Sequence, residues 1–222
     1  MARVARVVAP GIPHHVTQRG NRRQLTFFRD EDFRLYRALI SEWCRLHRVE
    51  IWAYCLMPNH VHLIVVPPTQ QSLRLAIGEA HRRYTAKVNG REGWTGCLWQ
   101  GRFFSYPMDD SHLFRAVNYV EMNPVRAGLC LRPEDYYWSS ARHRIKGVED
   151  SLISSSYSDR VGMREVHRSF QLDEEELEEI RRHARTGRPL GSTRFIKDLE
   201  KHLGRNLKLG RSGRPASKLP GG

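Results

Sequence analysis

Glu50-Ile51-Trp52-Ala53-Tyr54-Cys55-Leu56, then Met57-Pro58-Asn59, then His60-Val61-His62-Leu63-Ile64-Val65-Val66 is the stretch that decides the fold. Both flanks are rich in β-branched and aromatic residues, and Pro58-Asn59 supplies turn chemistry between them, so the stretch reads as a β-hairpin. Alternate side chains on a strand face opposite ways. His60 and His62 therefore share one face, while Val61, Leu63 and Val65 share the other.

Upstream, His15-Val16-Thr17-Gln18-Arg19 alternates and runs into Gly20-Asn21, which predicts a strand ending in a turn. Asp30 is placed to cap a helix over 31–47, with Phe33, Leu35, Tyr36, Leu39, Ile40 and Trp43 as its apolar stripe. Downstream of the hairpin, Ser72 to Asn89 reads as a helix carrying the basic cluster His81-Arg82-Arg83. Trp99 to Pro107 reads as a strand, and Ser111 to Asn123 as a helix ended or kinked by Pro124. The order β-α-β-β-α-β-α predicts an α+β class, the ferredoxin-like split βαβ core with one extra helix. In that arrangement the first and third strands are central in a four-stranded antiparallel sheet. Two helices cover one face and leave the other for ligand.

Composition sets the wider frame. The chain has 222 residues, 40% hydrophobic and 27% charged, a globular profile with no apolar run approaching a membrane span. The N-terminus lacks the apolar segment of a secretory signal, and Cys44, Cys55, Cys97 and Cys130 form no metal or disulfide pattern, so a cytoplasmic location is expected. Basic residues number 37 against 24 acidic, a net charge of +13, and 31 of the basic residues are arginine. Arginine's planar fork matches phosphate and stacks on bases, so the excess points to nucleic acid. After Lys146 the character changes. Residues 1–146 are expected to form the catalytic domain, 147–170 a serine-containing variable linker, and 171–222 a helical, basic tail. From Arg188 onward that tail holds nine basic and two acidic residues.

Two neutral imidazoles two residues apart on a strand can clamp a divalent ion, although unrelated strand histidines share this spacing by chance. Tyr119 and Asn123 lie four apart and stack on one helical face. A phenolate can act as a nucleophile and an asparagine carbonyl as a hard metal ligand, but a core tyrosine and a helix-end asparagine are equally ordinary.

Five blocks occur in order: Pro13-His14-His15-Val16-Thr17-Gln18-Arg19-Gly20-Asn21, Met57 to Ile64, Trp99-Gln100-Gly101-Arg102-Phe103, Tyr119 to Leu129, and Trp138-Ser139-Ser140. Together they closely resemble the single-tyrosine HUH transposases, in particular the REP-associated tyrosine transposases of bacteria. The resemblance covers roughly residues 3–146 and resumes from Thr186 to Ser192 and Leu203 to Arg205. It implies a metal-dependent enzyme with an HUH nuclease core that nicks and rejoins hairpin-forming single-stranded DNA through a 5′-phosphotyrosine. By resemblance His60 and His62 fall on the paired metal ligands, Asn123 on the third ligand and Tyr119 on the nucleophile, with Mg²⁺ or Mn²⁺ as the cofactor. His14, His15 and His81 match no metal-ligand position.

Arg19, Asn21, Arg22, Arg23, Arg82, Arg83 and Arg102 cluster around these motifs and are candidates for gripping single-stranded or hairpin DNA, with Arg188 and Arg214 doing so from the tail. The protein is expected to be nucleoid-associated, as a monomer or homodimer, without a membrane partner. A domesticated protein that binds hairpin nucleic acid without cutting it would carry the same charge. Only the enzyme requires His60, His62, Tyr119 and Asn123 together.

Overall fold

A computed structural model describes residues 6–156 and 172–207. The hairpin forms as read. β2 (Glu50–Met57) and β3 (His60–Val66) pair antiparallel with Met57 opposite His60, so Pro58 and Asn59 make the whole turn. β1 (His14–Arg19) pairs with β3 on one side and with β4 (Phe104–Pro107) on the other, giving an antiparallel sheet of order β2-β3-β1-β4. The first and third strands are central, as the split βαβ reading requires.

The alternation on these strands sorts the sheet into two faces. Val16, Tyr54, Leu56, Val61, Leu63 and Val65 bury one face beneath α1 (Asp30–Leu46) and α2 (Ser72–Glu92). A bulge between Ile51 and Ala53 puts Trp52 and Ala53 together in the opposite core.

The second face is not left open as the sequence reading expected. α3 (Asp110–Glu121) and α6 (Glu174–Thr186) pack on it, with Ile64, Val66, Tyr106, Val117, Val120, Leu177 and Ile180 forming a second core. The reason lies in the strands themselves, whose second face carries apolar residues around the histidines that must also be taken out of water.

Three boundaries also move. Arg29, not Asp30, is the N-cap residue of α1; the Asp32 carboxylate accepts the Phe28 amide and pairs with Arg91. The strand expected over Trp99 to Pro107 begins only at Phe104, because Gly101 turns the chain with φ +69 and Trp99 makes a lone bridge to Gly20. The helix expected to run to Asn123 stops at Glu121. Met122 links it to the short α4 (Asn123–Arg126), which has Pro124 in its first turn.

α5 (Ala141–Lys146) locks α3 in place through a buried pair, Arg144 with Glu121, to which the Ser140 hydroxyl also donates at 2.6 Å. Glu121 is 1% exposed. Glu121→Ala is expected to cost roughly 3–5 kcal/mol, since removing one member of a buried pair leaves the other's charge in the core; urea denaturation measures it. α7 (Thr193–Leu203), capped by Ser192, docks Leu199 against Val7 and Ala9.

Buried histidines, His14, His15 and His81 among them, make the fold acid-sensitive. Burial lowers His14 to about 4 and both His15 and His81 to about 3, so they are neutral in the native state while the unfolded chain takes up protons below about 6.5. A depressed histidine contributes full stability above its unfolded pKa and loses it as pH falls toward the folded value. The sign is therefore less stability from pH 6.5 downward, on the order of 1 kcal/mol per histidine per pH unit. His81→Gln is expected to flatten the dependence of the urea midpoint on pH between 7 and 5.

Candidate active site

β3 presents His60 and His62 on the α3 side, their ring centroids 4.9 Å apart. In β1, Thr17 stands opposite His62 and Arg19 opposite His60, so the same face of β1 brings His15, Thr17 and Arg19 beside them. α3 lays Tyr119 across this patch, its ring 5.7 Å from His62 and 5.9 Å from His15. Tyr119 is 8% exposed and His62 6%, so the site is a shallow recess rather than a surface patch.

Each imidazole is oriented through one nitrogen. His60 Nδ1 bonds Asn59 Oδ1 at 2.6 Å, and His62 Nδ1 meets His15 Nε2 at 2.9 Å. His15 Nδ1 in turn meets the Tyr106 hydroxyl at 3.0 Å. In the tautomer where His62 donates to His15 and His15 donates to Tyr106, both His60 and His62 keep Nε2 for another partner. Burial, reinforced by Arg19, lowers His60 to about 4; burial, then His60, His15 and Arg126, push His62 well below its ordinary value. Both imidazoles are neutral near pH 7.

Asn123 sits past the break in the helix. Its amide nitrogen donates to the Tyr119 and Val120 carbonyls at 2.9 and 3.2 Å, which commits the nitrogen and leaves Oδ1 without a hydrogen bond among the described residues. No cluster of three His, Cys, Asp or Glu side chains suited to an ion occurs among the described residues. A metal here would rest on two imidazoles and an amide oxygen, with remaining positions for oxygens of water or substrate. That donor set fits a divalent ion of borderline character.

The remaining candidates divide by position. Arg19 is exposed at the end of β1, and Asn21–Arg23 form a 3-10 turn in which Arg22 and Arg23 have φ of 52 and 62, unusual for residues with a side chain. Asn59 Nδ2 donates to the Arg23 carbonyl and the Gly20 amide to the Asn59 carbonyl, so this turn is tied directly to the histidine end of the hairpin. A Cβ at Gly20 would run into the Gln24 carbonyl, which explains glycine there. Arg82 pairs with Glu79 and Arg83 lies over Trp43, both on α2 behind the sheet. Arg102 is exposed in the loop before β4, Arg188 donates to the Leu207 carbonyl, and Arg214 lies outside the described residues.

Four site residues escaped the sequence reading. His15 and Tyr106 orient His62. Arg126 stands over the Tyr119 ring at 4.5 Å and donates to its carbonyl, and Arg181 of α6 brings its charge near the Tyr119 side chain while pairing with Glu174 at 2.7 Å. The alternation of His15 with Thr17 and Arg19 was a usable signal for the first. None existed for Arg181, 62 positions from Tyr119 in the sequence.

Comparison with known proteins places the chain in a family. The sequence profile of the IS200-like transposases matches residues 10–123, about half the chain. A protein of Haemophilus influenzae assigned as a REP-associated tyrosine transposase is 24% identical over 122 residues, covering 50% of this chain and 69% of that protein. Among solved structures, a REP-associated tyrosine transposase bound to a REP hairpin superposes with a TM-score of 0.53 at 21% identity, covering 70% of this chain and 92% of that one. At that identity the superposition speaks for the fold. Sheet, site and sequence together define an enzyme of the transposase class. The chain belongs to the IS200-like transposase family.

Proposed function

We propose that the chain nicks and rejoins single-stranded, hairpin-forming DNA, with Tyr119 as nucleophile and a divalent ion held by His60, His62 and Asn123. The observation that carries this reading is the neutral His60–His62 pair with the Tyr119 ring 5.7 Å from His62 in one recess. The Tyr119 oxygen attacks the scissile phosphorus, forming a 5′-phosphotyrosine as the bond to the 3′ oxygen breaks and that oxygen leaves as a hydroxyl. Attack by another 3′-hydroxyl reverses the step, so rejoining needs no nucleotide triphosphate. Arg126 and Arg181 place positive charge beside the phenol oxygen and the incoming phosphate. His15 and Tyr106 hold His62 in one orientation. When bound, Mg²⁺ or Mn²⁺ supplies Lewis-acid withdrawal of charge from the phosphate oxygens.

DNA is gripped first by Arg19, Asn21, Arg22 and Arg23, which border the histidines, and more remotely by Arg82, Arg83, Arg102, Arg188 and Arg214. Residues 1–146 serve as the catalytic domain, 147–170 as a variable linker, and 171–222 as a basic segment whose helix α6 also reaches Tyr119. The H. influenzae relative and the hairpin-bound structure are consistent with a REP-like hairpin as substrate. Among the described residues no helix is long and apolar enough to cross a membrane, and a nucleoid-associated protein in the cytoplasm fits the charge.

The test is a denaturing gel of full-length protein incubated with end-labelled hairpin DNA and Mn²⁺. The expected result is a labelled band at the mass of protein plus DNA, with the free 3′-hydroxyl fragment beside it. A protein that only binds, or one that uses water as nucleophile, gives no such band.

A further expectation concerns residues 208–222, which hold Lys208, Arg211, Arg214 and Lys218 and no acidic residue. Removing them spares Leu190, Leu199 and Leu207, all buried in the fold. The plot of log affinity against log salt should become shallower by up to about three units if all four cations meet phosphate, while turnover at saturating DNA is unchanged or higher. An unchanged slope means that these residues do not touch the backbone.

A further inference from the structure

Trp138-Ser139-Ser140, the last of the five sequence blocks, lies along β2, the edge strand of the sheet. The Leu56 amide donates to the Trp138 carbonyl at 2.8 Å, Ser139 bridges Cys55, and the Ser140 amide donates to the Tyr54 carbonyl at 3.0 Å. The Trp138 ring stacks on Phe33 of α1 at 4.7 Å and so holds the segment to the core. Cys55 is the residue of β2 that stands opposite His62. The motif is therefore fastened to the hairpin level with one of the paired histidines.

From that edge a chain of polar contacts reaches α3. The Ser140 hydroxyl accepts the Tyr54 amide at 3.0 Å and donates to Glu121 Oε1 at 2.6 Å. Arg144, one helical turn further on in α5, donates from Nε to Glu121 Oε2 at 2.7 Å. All three side chains are buried. Glu121 is the last residue of α3, two places after Tyr119 and two before Asn123. Hydrogen bonds thus run from the strand paired with β3 to the helix turn that carries Tyr119.

Adhesion alone does not call for a charged network here. Taking two charges out of water costs about as much as their attraction returns, and an apolar pair of similar volume often packs as well or better. An apolar pair lacks direction, however. Val117 and Val120 hold α3 to the sheet by burial, which is non-directional and tolerates sliding, whereas a hydrogen bond fixes both a distance and an angle. A nucleophile is sensitive to that difference, since a displacement of about 1 Å can cost on the order of 10²-fold in rate.

We propose that Ser140, Glu121 and Arg144 are positioning residues for the reaction, setting where Tyr119 stands relative to His60 and His62. They act through Tyr119 and carry no chemistry of their own. The proposal rests on the reading of Tyr119 as the nucleophile of DNA cleavage.

The test exchanges the charges for an apolar pair. In the double variant Glu121→Leu with Arg144→Met, the Ser140 hydroxyl keeps an acceptor, the Tyr54 carbonyl at 3.2 Å. Full-length wild type and variant are compared by urea denaturation, by hairpin affinity, and by single-turnover cleavage at saturating hairpin with Mn²⁺. The urea midpoint should be no lower than that of the wild type, and affinity should stay within about threefold. The cleavage rate should fall on the order of 10²-fold. Ser140→Ala, which leaves the ion pair in place, should lower the rate about tenfold with affinity again unchanged. A stable double variant that cleaves at the wild-type rate overturns the proposal, as does a loss shared equally by rate and affinity. If the double variant is less stable or does not fold, Ser140→Ala decides: a wild-type rate overturns the proposal, and a slower rate with intact affinity upholds it. A wild type that cuts no hairpin removes the nicking reading itself, before any variant is compared.

Discussion

Tyr119→Phe is expected to reduce DNA cleavage to background, a loss on the order of 10⁴-fold or more, because the atom that forms the covalent bond is gone and neither nearby tyrosine has a free hydroxyl to replace it. The Tyr106 hydroxyl is spoken for by His15, and the Tyr136 hydroxyl donates to the Leu56 carbonyl. Phenylalanine keeps the ring packing with His62 and with Arg126, so hairpin affinity should change by less than about threefold, under 1 kcal/mol. Gel shift and single-turnover cleavage on the same DNA measure both. Full cleavage by the variant removes Tyr119 from the chemistry.

The second large effect is expected at His62. His62→Ala deletes a proposed ligand and also leaves His15 Nε2 without its partner. Metal-supported cleavage should fall more than about 100-fold, since losing even an outer partner of a metal ligand costs roughly 10–100-fold. Mn²⁺ binding by titration calorimetry should weaken in parallel, which separates loss of the ion from loss of the reaction. His60→Ala should behave alike. His15→Ala, by contrast, should fall within the 10–100-fold range, because it orients His62 without being a ligand itself. A metal-loaded structure with neither imidazole nitrogen within about 2.0–2.4 Å of the ion would remove both histidines from the ligand set.

These expectations depend on different kinds of information. The hairpin, the shared face of His60 and His62, and the apolar face of Val61, Leu63 and Val65 follow from alternation on one strand, a local property that tertiary context seldom reverses. Tyr119 and Asn123 were placed on one helix by spacing, yet the chain breaks between them at Met122, and Asn123 turns its amide nitrogen back to cap the helix end. The helix face and a break near Pro124 were legible; its position at Met122 was not, because that depends on how the Arg144–Glu121 pair seats the end of α3.

His15 marks the boundary most clearly. Its alternation with Thr17 and Arg19 put it on a definite face of β1, but nothing local said which strand would lie alongside. Register did, by setting Thr17 against His62 and so bringing the His15 ring to 5.1 Å from that of His62.

The amino-acid sequence by itself determined the α+β class, the strand order, the paired histidines, the helix-borne tyrosine and the excess of positive charge, since each arises from residue type and short-range periodicity. Only the tertiary structure decided that α3 and α6 cover the histidine face, that Arg181 reaches Tyr119, and that Ser140 meets Tyr54. Those pairings join residues 62 and 86 positions apart, and they are set by which apolar surfaces must be buried together, a demand of the whole chain that no window of sequence contains.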